Sequence, residues 1–502
     1  MNNFDESLEI GKNLIGKNIN EALILFENLN KEFPNKKEVL FELGKIYYIK
    51  RDFFKAKIIL EQIRDNNNYH LSLLLAKIYK SLNINFSALK LLLMLYKKSK
   101  NIETENEIVN FLLTIKKECL AIKFLLKNKS KNKEVKNIIK YYIDTITEQV
   151  ANNSFFKIEK DILKIMNVMN KYTGDNEYLK EKNILLNEYE IGNNKVHLKS
   201  KPRRLTVFLT NKCNIQCKMC KLVQGKKRDI DANVLDDIKK IMPYLENIVW
   251  LGGEVFLYKD FQGLMDLANK YEVKQNIVTN GLMLNENIIL KLMKYKVDLN
   301  ISIDSVKKET YEYIRSGSEF EKILSNLKLI KNHRNRNMRL FLTCVVSEYN
   351  INEDFCNFIP FAKEYGFDEI SFTLDIFQIN NMSIINNFNK FRDKISDLAE
   401  QCGIKVVFLV PKGLLEKKQT LPKKKQTLTN CLRPFKSLLI ELDDIRFFDF
   451  CKSIGNTKTC NIEEVWNSNS AVEFRQKMLL YGNKDCMNIC NDNDLDFQRF
   501  KL

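Results

Sequence analysis

The sequence predicts an α/β protein with a helical repeat in front and a small cysteine-rich end. Between them it places six βα units, a parallel sheet that is open or curved into part of a barrel. Three observations predict this. Alanines 22, 56, 88 and 121 recur at intervals of 34, 32 and 33 residues through helical sequence. Beyond Arg204, short runs of Val, Ile and Phe alternate with amphipathic stretches of helical length. Five of the twelve cysteines fall after residue 430.

The chain has 502 residues, too many for one core, and 45% of them are apolar, enough to bury several. No apolar run is long enough to cross a bilayer. The opening stretch, MNNFDESLEIGKN, is too polar and acidic for a signal or transit peptide. A cytoplasmic protein with no membrane partner is expected, and there thiols stay reduced unless a metal takes them. The net charge of +18 raises the question of nucleic acid. Residues 1–200 hold 34 Lys and Arg against 25 Asp and Glu, and residues 201–502 hold 47 against 38. The excess is +9 in each part, so no basic block exists and nucleic acid is not the expected partner. Three histidines, His70, His197 and His333, are too few and too scattered for a histidine metal site.

The front end, residues 1–130, is built on small residues at a fixed period. LGKIYY supplies Leu43, Gly44 and Tyr47 before Ala56, and LAKIY supplies Leu75, Ala76 and Tyr79 before Ala88. Ala22 precedes Pro34 by twelve residues. This pattern resembles the tetratricopeptide repeat, whose period is 34 residues. The resemblance implies stacked helix pairs with a concave surface that binds a peptide or protein. The alternative is an ordinary helical bundle. Residues 131–200 read as a polar helical connector.

Residues 201–415 carry the six strand candidates: LTVFLT, NIVWLG, KQNIVTN, DLNISID, RLFLTCVVS and EISFTLDI. Helical stretches follow near 232–242, 261–271, 286–295, 319–333, 352–366 and 386–402. In sheets of this kind ligands sit at the carboxyl ends of strands. Residues 416–502 begin with a charged linker, EKKQTLPKKKQT, and continue as a segment too short and cysteine-dense for a plain apolar core.

Directly after the first strand, LTNKCNIQCKMC places Cys213, Cys217 and Cys220 in one short loop. A disulfide uses two thiols and a structural zinc site usually four. Three thiolates can hold three irons of a [4Fe–4S] cube and leave the fourth without a protein ligand. This C-x3-C-x2-C loop resembles the radical S-adenosylmethionine superfamily, and further stretches at successive strand ends carry the same resemblance. GGE (Gly252, Gly253, Glu254) ends the second strand, where the family binds the amino group of S-adenosylmethionine. Glycine lets backbone approach a ligand there, and the carboxylate can accept from an ammonium. TNG, with Thr279 and Asn280, ends the third strand, and SID, with Ser302 and Asp304, ends the fourth. YEYIRSG places Arg315 where many relatives keep an arginine. Two positions depart from the family pattern: Val255 stands for the usual proline after GGE, and Met219 for the aromatic residue beside the adenine. The resemblance implies a partial (βα)6 TIM-like barrel that holds the cluster and S-adenosylmethionine as cofactors.

In the last segment, CLRPF begins with Cys431, FFDFC ends with Cys451, and CMNIC carries Cys486 and Cys490, with VWNSNS between. The order resembles the SPASM extension of radical S-adenosylmethionine enzymes and implies one auxiliary [4Fe–4S] cluster on those four cysteines. Zinc on the same four is the alternative. Cys460 is left out of the set, and Cys119, Cys344, Cys356 and Cys402 read as core.

By this resemblance, a reduced cluster cleaves S-adenosylmethionine to a 5′-deoxyadenosyl radical that takes hydrogen from a substrate, with a flavodoxin or ferredoxin as electron donor. Asp375, in FTLDI at the end of the sixth strand, is the candidate general base. The expected substrate is a peptide or protein, approached through the repeat domain. A small molecule, cofactor precursor, sugar or tRNA is the second reading, and a non-catalytic repeat scaffold the third.

Overall fold

Among the described residues, asparagine and aspartate side chains cap four of the first eight helices. The structure is a computed structural model that describes residues 3–65, 67–128, 132–151, 155–222, 225–375, 381–409, 431–447 and 451–481. The chain divides into two compact units, Met1–Thr145 with Leu163–Gly174, and Ile146–Ile162 with Asp175–Leu502.

The first unit runs α1 (Asn3–Ile15), α2 (Ile19–Glu32), α3 (Lys37–Ile49), α4 (Phe53–Gln62), α5 (Tyr69–Ser81), α6 (Asn85–Ser99), α7 (Ile102–Thr114) and α8 (Glu118–Lys127). The side chains of Asn18, Asp52, Asn68 and Asn101 accept from the first free N–H groups of α2, α4, α5 and α7. Each helix packs on the next. Ala22, Ala56, Ala88 and Ala121 are all fully buried, one in each even-numbered helix. A Cβ on Gly44 would come within 2.3 Å of the Leu60 side chain, so α3 and α4 approach as only glycine allows. Tyr47 and Tyr79 donate to Glu27 and Glu61 of the preceding helix at 2.7 and 2.6 Å. The α9 (Asn132–Ala151) and α10 (Phe155–Tyr172) helices follow.

The second unit opens with α11 (Leu179–Gly192) and is organised by one ten-stranded sheet. Its strands are β1 (Arg204–Phe208), β3 (Asn247–Leu251), β4 (Lys274–Thr279), β5 (Val297–Ser302), β7 (Met338–Val346), β8 (Glu369–Leu374), β9 (Lys405–Leu409), β10 (Ser437–Glu441), β11 (Asp444–Arg446) and β12 (Gly455–Asn456). The two-residue strands β2 (Gln216–Cys217) and β6 (Arg315–Ser316) pair with each other, outside that sheet. From β10 through β1, β3, β4, β5, β7 and β8 to β9 every pairing is parallel, and β11 and β12 extend the β10 edge antiparallel. The six expected strands are therefore present, with two further parallel neighbours. Helices α12 (Ala232–Ile241), α13 (Phe261–Lys270), α14 (Glu286–Leu292), α15 (Lys308–Ile314), α16 (Phe320–His333), α17 (Phe358–Tyr365) and α18 (Met382–Cys402) connect them. Beyond the linker come α19 (Arg433–Lys436), α20 (Ile462–Trp466) and α21 (Asn469–Tyr481).

The carboxy-terminal segment differs from the expectation of a stretch without an apolar core. Phe435, Leu438, Ile440, Phe447 and Trp466 are buried in the same core as the sheet, because SLLIE supplies a short apolar run that forms a strand buried at its centre. A buried ionic knot fixes it at the amino end of β1. Glu188 of α11 accepts from Arg203 at 2.5 Å and from Lys436 at 2.7 Å, while Arg203 Nε reaches Glu246 at 2.6 Å. Burial alone would raise the Glu188 carboxyl, but the cations of Lys436 and Arg203 prevail and hold it at about 2. Burial pushes Lys436 down to about 8, against the attraction of Glu188. Arg475 lies beside the knot, its guanidinium 4.3 Å from the Trp466 ring and donating to the carbonyls of Pro434 and Val196. Among the described residues no helix is long and apolar enough to cross a membrane.

Candidate functional site

The loop leaving β1 is the centre of the site, and it is stitched to itself before it reaches anything else. Thr210 bridges to Asp229, Ile230 N–H donates to Leu209 O at 2.8 Å, and Asn211 bonds backbone groups of both Arg228 and Lys226. Lys212 closes the neck through Asp229 at 2.7 Å. Cys213, Cys217 and Cys220 are carried between these two legs, all half-buried.

The loop then seats on the carboxyl end of β3. Gly253 N–H donates to Thr210 O at 2.7 Å, and Glu254 N–H to Lys212 O at 2.8 Å. A Cβ on Gly252, whose φ is +145°, would lie 2.3 Å from Thr210 O, and one on Gly253 would lie 2.1 Å from Lys212 O. Sequence reasoning expects a ligand to approach at these glycines; in the structure the missing side chains also let the cysteine loop come close. Glu254 is likewise held by neighbouring groups. It is fully buried and accepts from Thr279 Oγ1 at 2.8 Å, Asn280 N–H at 2.9 Å and Phe256 N–H at 3.3 Å. Burial raises its carboxyl, and those donors only partly offset the effect. In this state it ties the ends of β3 and β4 together.

The other predicted residues gather on two sides of the loop. Asn280 Nδ2 donates to Asn214 Oδ1 at 2.8 Å and to Cys213 Sγ at 3.8 Å. On the far side, β2 pairs antiparallel with β6, which sets Cys217 opposite Arg315. Arg315 Nη1 donates to Cys217 Sγ at 3.8 Å, and its Nη2 lies 2.8 Å from Asp304 Oδ2. Asp304 is fully buried and accepts from the N–H of Val345 at 2.9 Å. Ser302 ends β5, half-buried, and Met219 sits half-buried beside Cys220. Asp375 follows β8, its N–H donating to Val346 O at 2.9 Å, and its charge reaches Tyr349.

Sequence reasoning missed the rim between these groups. Lys218 lies 4.3 Å from the Tyr313 ring, and Tyr313 meets Tyr349 edge-on with centroids 6.1 Å apart. A tyrosine exposed on a helix, Tyr313, and one in a turn, Tyr349, carry no motif, so only the fold reveals them. Cys344 is fully buried, whereas Cys356 and Cys402 pack at the margin of the core and Cys119 is half-buried. Cys431 is buried, Cys451 half-buried and Cys460 exposed; Cys486 and Cys490 lie outside the described residues.

The donor set fits an iron–sulfur cluster. Burial pushes the Cys217 thiol up to about 11 against the pull of Arg315, and raises Cys213 as well. Charge on Cys220 acts on both, so the three sulfurs share one electrostatic neighbourhood. Ligands about 2.3 Å from one zinc ion would bring their sulfurs to about 4 Å of each other. Among the described residues no three Cys, His, Asp or Glu side chains converge as a single ion requires. Three thiols on one short loop suit a multi-iron cube, which takes one sulfur on each of three irons.

Residues 207–362 match the Radical SAM superfamily. The superfamily that this segment matches implies a [4Fe–4S] cluster and S-adenosylmethionine. An S-adenosylmethionine-dependent nucleotide dehydratase from Selenomonas ruminantium is 28% identical over 30% of this chain and 59% of its own. The radical SAM cyclopropyl synthase TigE from Paramaledivibacter caminithermalis is 24% identical over 46% and 52%, and the mycofactocin maturase MftC from Mycolicibacterium smegmatis 27% over 33% and 43%. The chain thus spans about half the length of these curated relatives. The structure of Streptococcus suis SuiB bound to S-adenosylmethionine aligns with a TM-score of 0.47 at 16% identity, over 68% of this chain and 84% of that one.

Proposed function

We propose that this chain modifies a peptide or protein by radical chemistry initiated at the Cys213, Cys217 and Cys220 loop. The observation that carries the reading is the seating of that loop on the carboxyl ends of β3 and β4, through Gly253, Glu254 and Asn280. When bound, a reduced [4Fe–4S] cluster and S-adenosylmethionine supply a 5′-deoxyadenosyl radical, which abstracts hydrogen from the substrate. The protein's own part is position and exclusion of water. Cys213, Cys217 and Cys220 hold the cluster, with Gly252, Gly253, Glu254, Thr279, Asn280, Ser302, Asp304, Met219 and Arg315 forming the cofactor wall. Asp375, which follows β8, is the candidate general base toward substrate.

Residues 201–415 are read as a partial barrel, and residues 1–130 as a tetratricopeptide-like solenoid that receives the peptide, followed by the connector 131–200. Buried alanines at the repeat period and the glycine-close packing of α3 on α4 support the solenoid. Residues 416–502 are read as a SPASM-type segment carrying one auxiliary [4Fe–4S] cluster on Cys431, Cys451, Cys486 and Cys490. A low-potential flavodoxin or ferredoxin supplies electrons, in the cytoplasm. The relatives named as a maturase and as a bacteriocin biosynthesis protein support a peptide substrate. Those named as a nucleotide dehydratase and a GTP 3′,8-cyclase favour the second reading, a small molecule, cofactor precursor, sugar or tRNA.

The test is 5′-deoxyadenosine formation. The protein is purified anaerobically, reconstituted with iron and sulfide, and given S-adenosylmethionine and dithionite beside the Cys213→Ala, Cys217→Ala, Cys220→Ala variant. Product in the parent that vanishes in the variant is expected. Zinc in the isolated protein, no cluster after reconstitution and no product would overturn the reading.

A further inference from the structure

Two N–H donors converge on the cysteine sulfurs, and both are held from behind. Arg315 is 5% exposed, approaches Cys217 Sγ at 3.8 Å, and is clamped by Asp304 at 2.8 Å. The pairing of β2 with β6 fixes Cys217 opposite Arg315. Asn280 approaches Cys213 Sγ at 3.8 Å while its Oδ1 accepts from Leu282 N–H at 3.0 Å. Neither group is free to follow a ligand that comes and goes.

We propose that Arg315, with Asn280 in a smaller part, tunes the reduction potential of the cluster through the ligand sulfurs, and that Asp304 limits the effect. The proposal rests on the function proposed above. One-electron reduction adds negative charge to an already anionic thiolate cluster, with the electron coming from the external donor and leaving it oxidised. A cation and N–H dipoles aimed at the sulfurs stabilise the reduced form more than the oxidised one, and do so strongly where water is excluded. Asp304 lies on the other side of the guanidinium and cancels much of its charge. What reaches the sulfur is a dipole, so the expected scale is about tenfold in the reduction equilibrium.

The test is a potentiometric titration of the reconstituted protein followed by electron paramagnetic resonance, with iron and sulfide measured on every sample. Arg315→Met, and Asp304→Asn with Arg315→Met so that no buried carboxylate is left unpaired, are expected to keep the cluster. The double variant should make reduction about tenfold less favourable, roughly 59 mV for one electron, and Arg315→Met alone, which leaves the Asp304 carboxylate uncompensated, by more than that. Asp304→Asn alone should shift it the opposite way, an outcome that a merely structural role does not give. A full cluster whose potential moves less than twofold in all three variants overturns the proposal. Loss of cluster from all three does so too, by assigning Arg315 to loop shape alone. A parent protein that takes up no cluster overturns the proposed function, and this inference with it.

Discussion

Replacing Glu188 with Gln would remove the one carboxylate shared by Arg203 and Lys436 in the buried knot. All three side chains are less than a tenth exposed, so water cannot take over the lost partnership. Two routes to the magnitude agree. Breaking a buried pair by removing one member costs about 3–5 kcal/mol. A carboxyl held at about 2 rather than its ordinary 4.5 is worth about 3 kcal/mol at neutral pH. The sign follows from the lowered value: this stabilisation is complete above about pH 4.5 and is lost as pH falls toward 2. The chain has two tryptophans, Trp250 and Trp466, both buried in the second unit, so intrinsic fluorescence during urea unfolding reports on that unit alone. With a slope of about 3 kcal/mol per molar urea, the midpoint of Glu188→Gln should fall by about 1 M at pH 7. The gap from the parent should narrow below pH 4.5. A midpoint within 0.2 M of the parent (about 0.6 kcal/mol on the same slope), or a gap that stays constant down to pH 3, would refute the account of the knot.

Three other perturbations have definite outcomes. Gly253→Ala drives a methyl into Lys212 O, and iron per chain after anaerobic reconstitution should drop below half the parent value, while Gly225→Ala, which meets nothing within 4 Å, should load normally. Gly44→Ala forces Leu60 aside and should cost about 1–3 kcal/mol in the first unit, read as a lower helical melting transition with tryptophan fluorescence unmoved. Arg475→Met removes the donors to Pro434 and Val196 and the stack on Trp466; the loss should be about 2 kcal/mol or more, seen as a lower urea midpoint by fluorescence.

Much of this architecture could be read from local pattern. The Val, Ile and Phe runs named β1, β3, β4, β5, β7 and β8 because each is a short apolar stretch between helical periods. Strand β9, KVVFL, is five residues and was easily absorbed into the approach to the linker. Strand β10 was legible as an apolar run but not as a neighbour of β1, since no local signal specifies a pairing across the whole domain. At the site, the cysteine spacing and the strand-end motifs brought the right segments together. They did not reveal how those residues contact one another. GGE announces a place where side chains are not tolerated, yet what fills the space is the Thr210 to Lys212 backbone. Arg315 reaches Cys217 only because two-residue strands pair, and such strands are too short to carry a pattern.

The position of β10 has a consequence for how the protein is made. Arg204 pairs with Ser437, so β1 waits for roughly 230 further residues before its second neighbour exists. At about 5–20 residues per second, translation leaves that edge open for roughly 10 to 50 seconds. During that interval the strand leading into the three cysteines offers unpaired backbone to any passing chain. Slowing the ribosome beyond the linker should therefore increase aggregation in cells without changing a single residue, and supplying residues 431–481 as a separate chain should relieve it.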